Sequence, residues 1–223
     1  MAKLIFDPEL IPVESVAGET ALSTDRLAVD WLRTRFANPP EWLPEATNEH
    51  LLRRSATPPM PAAVLLPIVV HEHGPTLLLT QRSAHLTDHG GQISLPGGRV
   101  ERGDASAIET ALRETEEEVG LHRRHVEVLG TLPDYFTGTG YRVTPVVSIV
   151  QPPFDLRADP FEVAEIFEVP MTFLMDGMNH QRRTAEFPNG IGRRTFYAMP
   201  YERFFIWGAT AGMLRNLFHF LRA

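Results

Sequence analysis

Leu95-Pro96-Gly97-Gly98, separated by fourteen residues from Arg113-Glu114-Thr115-Glu116-Glu117-Glu118-Val119-Gly120-Leu121, is the stretch on which the reading turns. At about 100° per residue, Ile108, Ala111, Leu112, Thr115 and Val119 share one helical face, which predicts packing on a core. Glu114, Glu117 and Glu118 fall on a neighbouring stripe, because spacings of three and four bring side chains together. These carboxylates repel one another close to a helix C-terminus, where the macrodipole already disfavours negative charge. Arg113 can reach Glu117 one turn on, but one guanidinium does not neutralise the whole set. Hard oxygen ligands clustered this way suit Mg²⁺ or Mn²⁺, which keep several waters and complete their shell from substrate phosphates.

A solvated acidic face is the commoner fate of a charge run. The upstream loop changes that expectation, since Pro96-Gly97-Gly98 is backbone without side-chain bulk and can bring N–H donors close to phosphate oxygens. Asp104 or Ser106 can cap the helix at its start, and Gly120 fits the left-handed position at its end.

The segment resembles the signature of the Nudix hydrolases, G-x5-E-x7-R-E-U-x-E-E-x-G-U with U apolar. Arg113, Glu114, Glu117, Glu118, Gly120 and Leu121 match its second half. Each fixed letter has a background frequency of about 7% or less, so the joint match is specific. In the first half, Gly98 and Asp104 stand one residue earlier than the pattern, which would place its glycine at Arg99 and its glutamate at Ala105. One inserted residue between loop and helix accounts for both. Thr115 departs mildly at an apolar position.

The insertion is shared by a subgroup resembling coenzyme A pyrophosphatases, whose upstream motif is approximately L-L-T-x-R-[SA]-x3-R-x3-G-x3-F-P-G-G. Leu78-Leu79-Thr80-Gln81-Arg82-Ser83, Gly91 and Leu95-Pro96-Gly97-Gly98 follow it in register, with Thr87 in place of the second arginine and Leu95 in place of phenylalanine. Tyr141 to Val147, Glu162 to Pro170 and Phe205 to Ala211 continue the likeness as a strand, a post-core segment and a closing helix. The resemblance covers roughly residues 60 to 220.

It implies an α/β (α+β) fold, a mixed β-sheet sandwiched between α-helices. It also implies hydrolysis of coenzyme A or a derivative to 3',5'-ADP and 4'-phosphopantetheine. Glu114, Glu117 and Glu118 would hold Mg²⁺, or Mn²⁺ as the alternative; Glu114 or Glu165 would serve as base; and Arg113 would orient the glutamates. Arg82, Ser83, Gly97 and Gly98 would contact substrate. The alternatives are another nucleoside diphosphate derivative, such as ADP-ribose or a dinucleotide, and a ligand-sensing module without turnover. A homodimer is compatible with the family.

Composition bounds these readings. With 223 residues, 43% of them apolar, the chain can bury one good core. We expect a Nudix domain over residues 61–223 and a helix with a proline-rich extension over 1–60 that packs on it. The absence of cysteine excludes disulfides, thiolate nucleophiles and Cys-ligated zinc. Asp7, Pro8 and Glu9 interrupt any N-terminal apolar segment, and no apolar run is long enough for a membrane span, so a cytoplasmic protein is expected. A net charge of −7 argues against nucleic-acid binding, yet not against an anionic small molecule, because bound cations invert the local field.

Further elements are a helix over Thr24 to Phe36, irregular chain over Ala37 to Pro61, and strands over Ala62 to Val70, Thr76 to Arg82, Val126 to Leu132 and Val143 to Val150. A hairpin within Arg182 to Met199 would turn at Asn189-Gly190, and an amphipathic helix would run from Ile206 to Leu221.

Overall fold

A computed structural model describes residues 7–45, 58–187 and 192–223. The start of the chain, the middle of the proline-rich segment and the Asn189-Gly190 turn lie outside these residues.

The central pair of strands is β2 (Met60–Val69) and β8 (Tyr141–Val150), which run parallel with Met60 opposite Tyr141 and Val69 opposite Val150. Both read as near-continuous apolar runs because both faces of the sheet are covered. Side chains alternate between faces: Ala62, Leu66 and Ile68 join the largest core, whereas Ala63 and Leu65 join a second one under helix α2 (Ala107–Val119). The strands β3 (Thr76–Arg82), β4 (Ile93–Ser94) and β6 (Val126–Thr131) extend this sheet. Short strands β5 (Gly97–Arg99) and β7 (Tyr135–Phe136) pair with β2 and β8, and β9 (Val163–Pro170) pairs antiparallel with β3.

Helix α2 follows its sequence signals. The Ser106 hydroxyl accepts from the Glu109 N–H at 3.3 Å, and Gly120 ends the helix at φ 71°. Thr115, at an apolar position of the pattern, is buried and donates its hydroxyl to the Ala111 carbonyl at 2.6 Å, which satisfies it within its own helix.

On the opposite face of the sheet lie α1 (Val29–Ala37) and α4 (Gly208–Arg222), so the sheet is sandwiched between helices. Two boundaries differ from expectation. The helix expected from Thr24 is a 3-10 turn, Thr24–Leu27, followed after an extended Ala28 by α1. The C-terminal helix begins at Gly208 rather than Ile206, because Phe204–Trp207 forms strand β12, with Ile206 opposite Met199 of β11 (Gly192–Tyr201). That run of aromatic and β-branched residues favours a pleated, half-buried surface. Helical spacing alone did not register this.

The strands β10 (Gln181–Phe187) and β11 form the expected hairpin, flanked by β12 and by β1 (Val13–Val16) in a second sheet. The short helix α3 (Met171–Leu174) leads from β9 toward β10. Among the described residues no helix is long and apolar enough to cross a membrane.

The N-terminal segment is fixed by a buried cation. Arg215 of α4, 4% exposed, donates Nη1 to Glu19 at 2.8 Å and Nε to Glu45 at 2.7 Å, and its Nη1 lies 3.1 Å from His180 Nδ1. His180 is fully buried and its Nε2 meets the Leu174 carbonyl at 2.7 Å, so Nε2 carries the proton and Nδ1 accepts from Arg215. Burial pushes His180 down to about 4, in keeping with a neutral ring. The bond from Arg215 brings Glu19 to about 2, against burial; for Glu45, burial resists ionisation, but bonds from His219, Tyr197 and Arg215 outweigh it and also give about 2.

Both carboxylates therefore contribute stability that is present above their ordinary value of 4.5 and lost as pH falls toward 2. Replacing Glu19 and Glu45 together by glutamine should flatten the acid limb of stability between these values in denaturant titrations at stepped pH. Arg215→Ala, which takes the shared cation from both acids, should cost about 3 kcal/mol or more at neutral pH.

Candidate active site

Strand β5 and helix α2 meet along a line of glycine backbone and glutamate carboxylates. Gly97 has φ 151°, and a Cβ there would meet the Ala63 carbonyl oxygen at 2.3 Å, so only glycine lets β5 lie this close to β2. Its N–H donates to Glu118 Oε2 at 3.0 Å. A Cβ on Gly98 would fall 2.4–2.5 Å from the carboxyl group of Glu114, so the missing side chain is the space that this carboxyl occupies.

Glu118 is 3% exposed, and among the described residues its direct partner is that N–H, with Arg82 Nη1 3.6 Å from Oε1. Burial pushes its carboxyl up to about 7, against the Gly97 bond and the Arg82 charge, with Glu162 and Glu114 adding to the rise. Burial likewise raises Glu114, despite a bond from Arg113. Glu117 is the exposed member of the set, its side chain 60% accessible.

Arg113 ties these groups to the loop. Its Nη1 donates to Glu114 at 2.9 Å and Glu117 at 3.0 Å, its Nη2 to the Arg99 carbonyl at 3.1 Å, and its Nε and Nη2 grip Asp104 at 3.0 Å each. The fork matches a carboxylate bidentately, and Arg113 holds Asp104 well below the usual carboxylate range. Asp104 also accepts from the Glu101 N–H at 2.9 Å and the Thr110 hydroxyl at 2.8 Å. It is thus a brace between loop and helix rather than the helix cap, which Ser106 supplies.

The segment before β9 closes over the end of α2. Arg157 N–H donates to the Val119 carbonyl at 2.8 Å and Asp159 N–H to the Glu118 carbonyl at 2.9 Å, satisfying groups that a helix end leaves unpaired. Ser83 N–H donates to the Glu162 carbonyl at 2.8 Å, and the buried Ser83 hydroxyl to Pro160 at 3.4 Å. Ser83 therefore fastens this segment, and its hydroxyl is turned to backbone.

The fastened segment brings Glu162 toward α2, where its charge is felt by both Glu114 and Glu118. The sequence reading did not single out Glu162. Its signal was only an acidic residue ahead of a strand, and a contact so distant along the chain leaves no mark in local spacing.

Glu165 is not brought to this cluster. It stands opposite Gln81 in the β9–β3 register, pairs with Arg203, and shares a face with Phe167, which stacks on Phe204 at 3.6 Å between ring centroids. Ile166, pointing the other way, packs with Val119 and Leu121 beneath α2. Strand alternation thus turns Glu165 toward the opposite face, near a cavity of about 190 Å³ lined by Gln81, Arg203, Phe204 and Trp207.

The family profile described as NUDIX domain matches residues 59–183. The protein named "Uncharacterized Nudix hydrolase NudL" of Salmonella paratyphi B (strain ATCC BAA-1250 / SPB7) is 40% identical over 196 residues, covering 88% of this chain and 96% of the relative. Its namesake in Escherichia coli (strain K12 / DH10B) is 44% identical over 174 residues, covering 78% and 86%. The chain belongs to the Nudix hydrolase family. Among solved structures, a C. elegans Ap4A hydrolase binary complex aligns with 52% of this chain and 81% of its own at 21% identity, with a TM-score of 0.44.

As a Nudix hydrolase the protein is an enzyme acting on diphosphate anhydrides, and such enzymes generally use divalent metal ions such as Mg²⁺. Among the described residues, no three acidic or histidine side chains already converge as a ready-made metal shell. Glu114 and Glu117 are instead turned to the Arg113 guanidinium. The donor set nevertheless fits a hard cation. Glu118 is a buried carboxyl that accepts from the Gly97 N–H and faces Arg82 at 3.6 Å, and a divalent ion would add positive charge that favours its ionised form. Arg113 thus holds Glu114 and Glu117, whereas Glu118 is held apart from it by the Gly97 N–H.

The two glycines should separate by experiment. Gly97→Ala meets backbone on both counts and should cost about 2–4 kcal/mol of stability. Gly98→Ala meets only the tip of Glu114, so its melting temperature should stay near wild type while displacement of that carboxyl lowers kcat about a hundredfold. Thermal melts run beside steady-state kinetics would check both.

Proposed function

We propose that this Nudix hydrolase cleaves the diphosphate of coenzyme A, or of an acyl or oxidised form, to 3',5'-ADP and 4'-phosphopantetheine. The observation that carries the reading is the upstream motif from Leu78 to Gly98 in register with the Nudix helix. The approach of Arg82, from that motif, to Glu118 at 3.6 Å supports treating motif and helix as one site.

In this reading Glu114 and Glu118, with Glu117 assisting, hold Mg²⁺, or Mn²⁺ as the alternative. A divalent ion held there would supply positive charge to offset the charge developing on the bridging and leaving oxygens. Arg113 releases Glu117 and Glu114 to that role while Asp104 keeps its guanidinium in place. Arg82 steadies a phosphate oxygen, and Gly97 and Gly98 shape the backbone against which the diphosphate lies. The water oxygen forms a new bond to phosphorus as the anhydride P–O bond breaks, and its proton passes to a carboxylate.

Glu162 is the favoured acceptor. Its charge bears on the cluster, whereas Glu114 is assigned to the ion in this reading, and Glu165 is paired with Arg203 on the other face. Thr87, standing where the subgroup's motif has arginine, favours a second reading in which the substrate is another nucleoside diphosphate derivative such as ADP-ribose.

Purified protein with Mg²⁺ should release 3',5'-ADP from coenzyme A and acetyl-coenzyme A well in excess of products from ADP-ribose or diadenosine polyphosphates. Activity confined to the latter would discard the substrate and keep the chemistry. Glu118→Gln, which removes a ligand charge and little volume, should lower kcat more than tenfold, a loss above about 1.4 kcal/mol. For the base, Glu162→Gln should lower kcat about a hundredfold or more. Glu165→Gln removes an exposed pair of small energetic worth and should leave kcat near wild type; the reverse pattern would return the role to Glu165.

A further inference from the structure

Arg99 follows directly on the glycine loop, at the position where the unshifted family signature would have its glycine. It is the last residue of β5, one step beyond the Gly98 that faces Glu114. Its carbonyl accepts from Arg113 Nη2 at 3.1 Å, so its backbone is fixed to the hub of the site. Its guanidinium lies over the Tyr141 ring, 5.4 Å from the centroid, and both Nε, at 3.0 Å, and Nη2 donate to the Tyr141 hydroxyl.

Among the described residues no carboxylate pairs with it. It differs in this from Arg33, Arg113, Arg123, Arg203 and Arg215, each of which holds an acid within 3.0 Å. A guanidinium aimed by a phenol, accessible to solvent and left without an anion beside a phosphate-binding loop has donors to spare for a phosphate oxygen. Because Gly98 separates it from the Glu114 carboxyl, an anion held by Arg99 sits beside the scissile diphosphate rather than on it.

We propose that Arg99, oriented by Tyr141, binds a second, non-scissile phosphate monoester of the substrate. Resting on the coenzyme A reading above, that group is the 3'-phosphate of the ribose, which ADP-ribose and dinucleotide polyphosphates lack. Arg99 then supplies beside the glycine loop a cation of the kind that Thr87 does not provide in the upstream motif. It is a specificity residue: it acts on binding, and the reacting phosphorus is handled elsewhere.

The test compares coenzyme A with 3'-dephospho-coenzyme A, at fixed Mg²⁺, for wild type, Arg99→Gln and Tyr141→Phe. Wild type should prefer coenzyme A through KM. Arg99→Gln should raise KM for coenzyme A about tenfold, with kcat and the constants for the dephospho substrate little changed, so that the preference disappears. Tyr141→Phe keeps the ring and removes the hydroxyl, and should shift the same ratio in the same direction by less.

Equal losses on both substrates in Arg99→Gln, or a fall in kcat alone, would overturn the role of Arg99 while leaving the coenzyme A reading intact. Wild type that turns over ADP-ribose and neither coenzyme A substrate would overturn both. Thermal melts of each variant, with melting temperatures near wild type, exclude loss of fold as the cause.

Discussion

The contact between the Gly97 N–H and the buried carboxyl of Glu118 joins the two halves of the site, and much of the surrounding structure serves to make it. A carboxyl that is 3% exposed is costly unless its oxygens find donors. Gly97 offers one at 3.0 Å only because β5 lies against β2 at a distance that no side chain permits. The pairing of β5 with β2, the seating of α2 on Ala63 and Leu65, and the glycine at that position are therefore one constraint seen from three elements.

Arg113 and Asp104 show how the acidic helix face is tied to the loop. The guanidinium spreads its donors over Asp104, Glu114, Glu117 and the Arg99 carbonyl. Asp104 in turn is held by Arg113, the Glu101 N–H and Thr110. The one-residue shift of Gly98 and Asp104 against the family signature moves loop and brace together, so their relation to Arg113 survives the insertion. At the other end of α2, Arg157 and Asp159 take the last helical carbonyls, and Ser83 holds the segment that carries Glu162. The same hydrogen bonds that end the helix also position an additional acid near the cluster.

The N-terminal segment depends on the opposite arrangement, a buried cation that gathers acids. Arg215 binds Glu19 and Glu45 from distant parts of the segment and fixes the tautomer of His180. Together with Leu27 and Leu32 in the main core, this makes residues 7–45 part of the packing on the face of the sheet away from α2. The candidate site and the anchoring of the N-terminal segment thus occupy opposite faces of one sheet.

Where a signal was local in the chain, the sequence determined it. The face of α2, its Gly120 end, the span of β3 and the β10–β11 hairpin all follow from spacings within one element, where side-chain period and backbone propensity act directly. The Nudix family membership was legible for the same reason, since its signature is one loop and one helix. Tertiary structure decided what depends on pairing. Strand alternation in the β9–β3 register sends Glu165 to Arg203 and away from α2, while the closure of 157–162 over the helix end brings Glu162 in. Pairing with β11 likewise made Phe204–Trp207 a strand before the last helix began. A sequence records each residue's own preference, but the face on which a carboxylate emerges is set by hydrogen bonds to a strand far away in the chain.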